Sequence, residues 1–432
     1  MRETYDIRNF GAIGDGVTDN TKALKDAIDA CKNNGGGTVV VSEGVYLFYP
    51  VILYSHVHIR VDAGATLLAG TDPALYPEVE ENDYWNVGFA LRHNKRYVFY
   101  AEGANDIAIY GKGIIDLNGL AFIDTDDAVD VGTGRWHRYS DTEVPGRSIF
   151  FVGCKDVRIE GVSLYNTAGA WYTWLLNCEN VRVTGITLRS DIRTPNADGI
   201  HLGSCRNVVI SDCFIDGGDD GIVVRSMQEQ FGKGIPSENV TITNCVMHLA
   251  KFSSAILLGW THDYAVRNVV MNNIVVDGAG AVVSICAPDV NFSESKDPPR
   301  YPDTPPIPPI APMQIENIQI NNVTATNSGT ILQLQIDDGM KVDYIRNICL
   351  RNIQAFCTQY PRIECSTHHH VSDITFDNVM IEMSGNGPDM EKLLMNTGET
   401  IDYMPGHYPI FDNVDNLFFN NVRFKSTHYK KK

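Results

Sequence analysis

The sequence lacks the features of a membrane protein and of a small disulfide-linked domain. No run of about 18 apolar residues occurs in its 432 residues, and the first stretch, MRETYDIRNFG, has no apolar segment typical of a signal peptide. Ten cysteines are few for this length, and none form a Cys-x-x-Cys pair. We therefore expect a soluble chain with no metal site built on paired cysteines.

Positive charge is also scarce. The chain has 35 Lys and Arg against 53 Asp and Glu, a formal net charge of −18. A field of this sign disfavours binding to nucleic acid or to anionic membranes, but it leaves room for an anionic ligand held by a local basic cluster. Hydrophobic residues make up 44% and charged residues 20%, as in a globular protein.

One short phrase returns along most of the chain. It has a polar residue, then Asn or Asp, then alternating apolar positions and a turn, as in KDVRIEG at 155, ENVRVTG at 179 and RNVVISD at 206. From 155 onward, successive phrases start 24, 27, 32, 29, 49, 30, 26 and 43 residues apart. The alternation predicts strands, and a period in this range predicts a stack of similar units.

Cys154, Cys178 and Cys205 precede successive phrases, which predicts free thiols filling equivalent core positions.

We predict an all-β fold, a single-stranded right-handed parallel β-helix that forms one domain over residues 1–432. A β-propeller is the alternative, but its blades need longer and more regular repeats. An amphipathic helix over 18–33, ended by Gly35 to Gly37, would belong to an N-terminal cap over about 1–45. The stretches 119–147 and 287–312 break the period and are predicted to be loop insertions that wall a binding site.

Three aspartates stand out in NADGIHLGSCRNVVISDCFIDGGDDGIVVRS, residues 196–226. Asp198 lies 21 and 22 residues before Asp219 and Asp220, about one coil, so the three would be neighbours on consecutive coils. Carboxylates this close repel, which raises at least one pKa and lets one group keep its proton while another is ionised. This is the requirement for acid/base hydrolysis of a glycosidic bond. Calcium binding or ordinary turn positions are the alternative explanations.

The same stretch resembles the polygalacturonase-type glycoside hydrolases of family 28. Their Asn-Thr-Asp-Gly and Gly-Asp-Asp segments correspond to 196–199 and 218–220, and the run GRSIFFVGCKDVRIEG from 146 is also similar. The resemblance implies inverting hydrolysis of a pectic polysaccharide without a metal or cofactor. It further implies that Asp219 is the general acid and that Asp198 and Asp220 hold and deprotonate the water.

Two departures from the family pattern affect substrate binding. Where the family has Gly-His-Gly, this chain has Ser253-Ser254, and AVVSI at 281–285 stands where the family has Arg-Ile-Lys. A buried substrate carboxylate without a cation would be poorly bound. Either cations come from elsewhere, or the sugar beside the bond is not an ordinary galacturonate.

Several residues are therefore candidates for substrate binding. Arg225 lies five residues after Asp220, near a coil turn, whereas alternation predicts that His201 shares a face with Gly199 and not with Asp198. Trp136 lies in an irregular stretch and could stack on a sugar. The full set predicted for substrate binding is Asn196, Arg225, His201, Lys251, Ser254 and Trp136, and Arg193, His248 and His262 are further sources of positive charge.

The sequence thus predicts a glycoside hydrolase acting on a galacturonate- or rhamnogalacturonan-type polysaccharide or oligosaccharide. A β-helical polysaccharide lyase and a non-catalytic carbohydrate-binding β-helix are the alternatives. No nucleic-acid or membrane partner is expected, and the sequence does not indicate an oligomeric state. We expect a secreted or periplasmic location, with the cytoplasm as the alternative.

Overall fold

The computed structural model describes residues 3–79, 96–130, 135–139, 146–167, 170–288, 310–383, 393–394, 400–401 and 409–426. Most strands in these ranges pair in parallel with a strand one coil earlier and one coil later, in two long sheets. The chain therefore winds as a parallel β-helix, because each coil adds one strand to each sheet.

The smaller of the two, sheet B, has eleven strands in coil order. They are Val51–Ile52, Tyr97–Glu102, Arg147–Val152, Thr173–Leu176, Ile200–Gly203, Ile222–Arg225, Ser254–Leu258, Ala281–Ala287, Thr330–Ile336, Arg362–Cys365 and Ile410–Phe411.

The larger, sheet A, contains 20 strands, which are short in the early coils and long in the later ones. The short ones are Thr4–Asp6, Asp15–Asp19, Gly37–Val41, Gly44–Phe48, Val57–Val61, Ala65–Ala69, Asn105–Gly111, Ile114–Asp116, Lys155–Glu160, Ser163–Tyr165, Glu179–Thr184, Thr187–Arg189, Arg206–Ser211 and Phe214–Gly217. The long ones are Ser237–Leu249, Ala265–Gly278, Met313–Ser328, Val342–Cys357, Val371–Met383 and Val414–Ser426.

The remaining elements are few. Two antiparallel hairpins pair Ile123–Asp130 with Arg135–Tyr139 and Leu393–Leu394 with Thr400–Ile401. The first shows that part of the predicted loop insertion at 119–147 is a β-hairpin, while most of 287–312 lies outside the described residues. The α-helices are Thr21–Asn33 and Gln228–Phe231, and the 3-10 helices are Ile7–Phe10, Pro73–Leu75 and Gly119–Phe122.

The predicted repeat coincides with the observed register. The first residues of the phrases pair across sheet A as Lys155, Glu179, Arg206, Glu238, Arg267, Glu316 and Arg346. Their charges alternate in sign from coil to coil, and ion pairs such as Arg206–Glu179 at 2.8 Å join them. Unlike charges on directly opposite positions stabilise the pairing, whereas like charges would oppose it.

Asparagines form two further columns at the bends of sheet A. Their backbones have positive φ, for example +56° at Asn207, which asparagine tolerates better than most residues. The side-chain amide of each donates to the side chain one coil earlier, as Asn207 does to Asn180 at 3.2 Å and Asn239 to Asn207 at 3.1 Å. The recurrent asparagines thus turn the chain and link successive coils.

The core lies inside the coils, where the inward side chains of both sheets meet. One continuous apolar cluster runs from Tyr5 to Ile381. The predicted amphipathic helix is present as Thr21–Asn33, and its apolar face is buried against the first coil. Cys154, Cys178 and Cys205 are buried free thiols, as predicted. That the chain forms one domain stays a prediction.

Within the described ranges, none of the helices has both the length and the apolar character needed to cross a bilayer.

Replacing Asn207 tests the role of the asparagine columns. We expect Asn207→Ala to lower the free energy of unfolding by about 1–3 kcal/mol, because alanine is strained at positive φ and cannot make the two amide bonds. Asn207→Gly should lose less, since glycine accepts this backbone conformation. Urea denaturation of both variants measures their free energies of unfolding. Equal losses in the two variants would show that the positive φ is not the main reason why Asn207 stabilises the fold.

Candidate active site

The structure brings the three aspartates together. Asp198 lies two residues before strand Ile200–Gly203, and Asp220 lies two residues before strand Ile222–Arg225, directly after Asp219. These two strands pair in register. The amide of Gly199 donates to the carbonyl of Asp220 at 2.9 Å, which fixes the two turns side by side. One carboxylate oxygen from each aspartate lies within 4.8 Å of the others. Asp198 is 4% exposed, whereas Asp219 and Asp220 are half-buried.

Glycines permit this close contact between coils. A Cβ added at Gly199 would lie 2.3 Å from the carbonyl oxygen of Gly221, and one at Gly218 would lie 2.1 Å from that of Thr194. The backbone of the chain itself fills the space next to both glycines, so they are needed for packing between the coils.

The electrostatics of the cluster favour retention of a proton. Burial raises the pKa of Asp198 well above its usual range, and the neighbouring Asp219 and Asp220 raise it further, while Arg147 opposes the shift. Burial and Asp220 likewise raise the pKa of Asp219. Three carboxylates this close cannot all be ionised at low cost, so the cluster favours keeping a proton.

Asp220 differs from its neighbours because its pKa is raised less, and its hydrogen bonds to the next coil are one reason. The backbone N–H of Ser254, on the next coil, donates to Oδ1 of Asp220 at 2.5 Å. Burial raises the pKa of Asp220 to about 6, and hydrogen bonds from Ser254 limit the rise. Asp219 accepts from its neighbour's backbone N–H at 3.0 Å and from Nδ2 of Asn196 at 3.4 Å. Asp220 therefore loses its proton at a lower pH than Asp219 does.

His201 is not where the alternation predicted it. Its Nε2 lies 2.9 Å from Oδ2 of Asp198, so the prediction that it faces away from this aspartate was wrong. Alternation holds only inside a strand, and Asp198 lies in the turn before Ile200–Gly203, where its side chain is free to point toward His201. His201 is 4% exposed, and burial lowers its pKa well below the usual range, which keeps the ring neutral.

The cationic candidates are mostly paired with acids. Arg225 makes an ion pair with buried Asp263, with Nη2 at 2.8 Å from Oδ1 and Nε at 3.2 Å from both carboxylate oxygens. Arg193 pairs with Asp191 at 2.6 Å, and Nδ1 of His248 lies 2.9 Å from Asp216. As substrate-binding residues these stay predictions, and the ion pairs already partly neutralise the charges of Arg225 and Arg193.

The other predicted binding residues lie in different settings. Asn196 and Ser254 contact the aspartates directly. Lys251 is half-buried in the turn three residues before Ser254. Trp136 lies in the strand Arg135–Tyr139, but its side chain is outside the described residues.

Sequence reasoning missed one charged residue of this region. Arg147 is 6% exposed and lies two coils before Asp198, with its guanidinium carbon 4.0 Å from the ring centre of Trp171. Trp171 in turn stacks on His201 at 3.6 Å. The position of Arg147 at the start of GRSIFFVG, in the run similar to the family, was the only available signal.

The carboxylate cluster could also bind a metal ion. Asp198, Asp219 and Asp220 each offer one oxygen, and oxygen donors of this kind suit a hard cation such as Ca²⁺ or Mg²⁺. A site with three carboxylates and no other described protein ligand would complete its coordination with water or substrate.

Comparison with known proteins finds two family matches. Residues 85–291 match the family described as glycosyl hydrolases family 28, and residues 4–74 match rhamnogalacturonase A/epimerase, pectate lyase-like. The predicted resemblance to a polygalacturonase-like glycoside hydrolase is thereby confirmed, at low identity.

Two curated relatives are similar over part of their length. A probable polygalacturonase from Vitis vinifera is 27% identical over 277 residues, which cover 62% of this chain and 53% of that protein. An exopolygalacturonase from Arabidopsis thaliana is 31% identical over 245 residues, or 56% of this chain and 49% of the relative. The chain thus spans about half the length of the curated relatives it matches.

Two solved structures share the fold. The exopolygalacturonase from Thermotoga maritima has a TM-score of 0.72 at 21% identity, covering 98% of this chain and 92% of its own. A family 28 exopolygalacturonase from Yersinia enterocolitica has a TM-score of 0.68 at 18% identity, covering 100% and 77%. The predicted right-handed parallel β-helix is confirmed.

Replacing Arg225 separates a structural role from a substrate-binding role. We expect Arg225→Met to lower the free energy of unfolding by about 3–5 kcal/mol, because it leaves the buried carboxylate of Asp263 unpaired. The double variant Arg225→Met, Asp263→Leu should recover much of this loss, since no buried charge remains. Thermal and urea denaturation report the change. Wild-type stability of the single variant with a raised KM would instead assign Arg225 to the substrate.

Proposed function

We propose that the chain is a glycoside hydrolase that cleaves a pectin-related polysaccharide, of the galacturonan or rhamnogalacturonan type, by acid/base catalysis. The observation that carries the proposal is the convergence of Asp198, Asp219 and Asp220 within 4.8 Å at a point where Asp219 and Asp220 are still partly exposed. Paired carboxyl groups with separated protonation states are what glycosidic cleavage requires. The family match and the names of the relatives, which are polygalacturonases, support the same reaction class.

The environments of the three groups suggest their roles. Asp219, whose pKa is raised by burial and by Asp220, is the general acid that protonates the leaving oxygen. Asp220, which accepts from Ser254, and Asp198, which is bonded to His201, are the carboxylates that orient and deprotonate the water. Burial raises the pKa of Asp198 as well, so its role is assigned from its bond to His201 and from the family resemblance, not from its pKa. This assignment matches the one implied by the family resemblance.

Inversion of the anomeric centre is part of the proposal, and it rests on the family resemblance. Inverting enzymes usually separate acid and base by about 6.5–9.5 Å to leave room for water, and retaining enzymes by about 5–5.5 Å. The 4.8 Å here is an upper limit on the distances between one oxygen of each aspartate and does not define the separation of the carboxyl groups, so inversion is proposed from the resemblance alone. Proton NMR of the first-formed product decides, and we expect the anomer opposite to that of the substrate linkage.

On the two coils that follow Asp220, Ser254 and Ser284 carry hydroxyl groups and no charge. Ser254 and Ser284, on consecutive coils, are joined by a hydroxyl–hydroxyl bond of 2.8 Å, and both are buried. These segments stand where the family has histidine and lysine. The pair offers hydroxyl groups to a sugar but no charge to its carboxylate, which is why we include rhamnogalacturonan as well as homogalacturonan among the proposed substrates.

Asp219→Asn tests the proposed acid. We expect kcat to fall by at least about 100-fold with the fold intact, because asparagine cannot donate the proton. Reducing-sugar release from homogalacturonan, rhamnogalacturonan and neutral glycans measures the activity. Asp338→Asn, at the exposed aspartate of the pair Asp337-Asp338 more than 100 residues along the chain, is the control and should cleave like wild type. Wild-type turnover by Asp219→Asn would contradict the assignment, and no turnover of any glycan by wild type would favour a binding protein.

The pH profile tests the proposed base. Since Asp220 must be ionised, kcat/KM should rise with pH through its pKa of about 6. Ser254→Ala keeps the backbone bond to Asp220 but removes the hydroxyl, which also lowers this pKa, so the rising limb should move to higher pH. Ser253→Ala is the control, because its hydroxyl bonds to the carbonyl of Ala250 and not to Asp220. An unchanged limb, or one moved to lower pH, would exclude Asp220 as the titrating base.

Metal removal distinguishes hydrolysis from elimination by a lyase. The proposed reaction uses no metal, so activity should survive EDTA, and the products should show no ultraviolet absorbance from an unsaturated sugar. Loss of activity in EDTA that calcium restores, together with unsaturated products, would support the lyase alternative.

A polysaccharide substrate of this kind places the protein outside the cytoplasm, and we propose a secreted or periplasmic location.

A further inference from the structure

The buried side chains of Arg147 and His201 and the partly buried side chain of Trp171 form a stack that ends at Asp198. Arg147, Trp171 and Asp198 lie at corresponding places on three consecutive coils. The amide of Ser148 donates to the carbonyl of Trp171 at 3.3 Å, and the amide of Tyr172 donates to the carbonyl of Asp198 at 3.0 Å. The backbone hydrogen bonds of the coils therefore fix where each of these side chains starts.

Trp171 is enclosed by groups of the protein on both faces. The guanidinium carbon of Arg147 lies 4.0 Å from its ring centre, and the imidazole of His201 lies 3.6 Å from it at an interplanar angle of 17°. Two groups this close to one centre do not fit on the same face, so they lie on opposite faces. The ring edge also packs against Trp174 at 5.5 Å and 88°. Trp171 is therefore held in place and has no free face for a sugar.

His201 connects the packed ring of Trp171 to the carboxylate of Asp198. Its ring is stacked on Trp171, and its Nε2 lies 2.9 Å from Oδ2 of the carboxylate. When Asp198 is ionised, as the proposed reaction requires, a neutral imidazole can bond to it only with the proton on Nε2, which makes His201 the donor. Such a bond fixes the rotation of the carboxylate and favours its ionised form.

The second oxygen of Asp198 supplies an independent observation. Oδ1 is buried and makes no hydrogen bond with any residue that the structure describes. A buried carboxylate oxygen is costly when it has no partner, so the site is suited to a bound water or a substrate hydroxyl. With Oδ2 occupied by His201, Oδ1 is the oxygen left to hold the water.

We propose that Arg147, Trp171 and His201 form a positioning unit that fixes the Asp198 carboxylate so that Oδ1, and not Oδ2, orients the attacking water. The inference rests on the proposed function for the identity of that water as the nucleophile. None of the three side chains needs to touch the sugar, and they act through Asp198. The charged and titratable groups that face Asp198 are Asp219, Asp220, His201 and Arg147, and Arg225 acts on His201 as well.

Two substitutions of His201 separate its hydrogen bond from its packing. In His201→Phe the ring can still stack on Trp171, but the donor is lost. In His201→Gln the side-chain amide places an N–H near the position of Nε2. We expect His201→Phe to lower kcat by about 100-fold with KM changed less than about threefold, and His201→Gln to recover at least about tenfold of that loss.

A second buried histidine of the chain provides a matched control. His58 is 5% exposed, and its Nε2 lies 3.0 Å from Oδ1 of Asp106, far along the chain from the carboxylate cluster. His58→Phe removes an equivalent histidine–aspartate bond. It should lower the melting temperature to a similar extent as His201→Phe and leave kcat per folded molecule unchanged. Equal kcat losses in the two variants would overturn the inference.

A crystal structure of His201→Phe tests the positioning independently of activity. We expect the Asp198 carboxylate to rotate, so that neither oxygen keeps its place, while Asp219 and Asp220 stay where they are. An unmoved Asp198 carboxylate would overturn the inference whatever the kinetics. A rotated carboxylate in a protein that cleaves no glycan would support the positioning unit and reject the proposed hydrolysis, so the two failures can be told apart.

Discussion

The structure depends on one constraint, the register in which each coil pairs with the next. Parallel pairing at about 4.8 Å places residues one period apart directly beside each other, so any side chain that recurs with the period becomes a column. Lys155, Glu179 and Arg206 form a column of alternating charge, and Asn180, Asn207 and Asn239 form a column of amide bonds. The aspartates obey the same rule, because Asp198 and the pair Asp219-Asp220 occupy equivalent turns. The cluster is thus a property of the register and not of any local motif.

Placing three carboxylates side by side opposes the stability of the fold, and the neighbouring residues limit that cost. Ser254 donates to Asp220, Asn196 reaches Asp219, and His201 bonds to Asp198. Each partner comes from an adjacent turn or from the strand that follows it, so the coils that create the repulsion also supply the compensation. The partners differ, and this difference separates the protonation states of three chemically identical groups. Functional sites commonly retain such locally unfavourable arrangements because the chemistry needs them.

Much of the fold could be predicted because strand alternation and the repeat period are visible in a single sequence. The phrases beginning at 155, 179 and 206 pair at the predicted residues. The spacing from Asp198 to Asp219 predicted that their carboxylates would lie close together. What could not be predicted depends on side chains that meet across coils without a periodic signal. Arg147 reaches the site from two coils away, and His201 turns toward Asp198 because alternation does not hold in the turn before a strand. The antiparallel hairpin at Ile123–Asp130 lies in an insertion, where the period gives no information.

The central claim is that the three stacked aspartates share protons as one group. Carbon-13 NMR of aspartate-labelled protein, titrated with pH and assigned with the three single Asp→Asn variants, tests it most directly. The account predicts that at least one of the three carboxyl groups stays protonated at pH 7 and that each substitution shifts the titration of the remaining two. Three independent titrations near the ordinary aspartate value of 3.8 would contradict it.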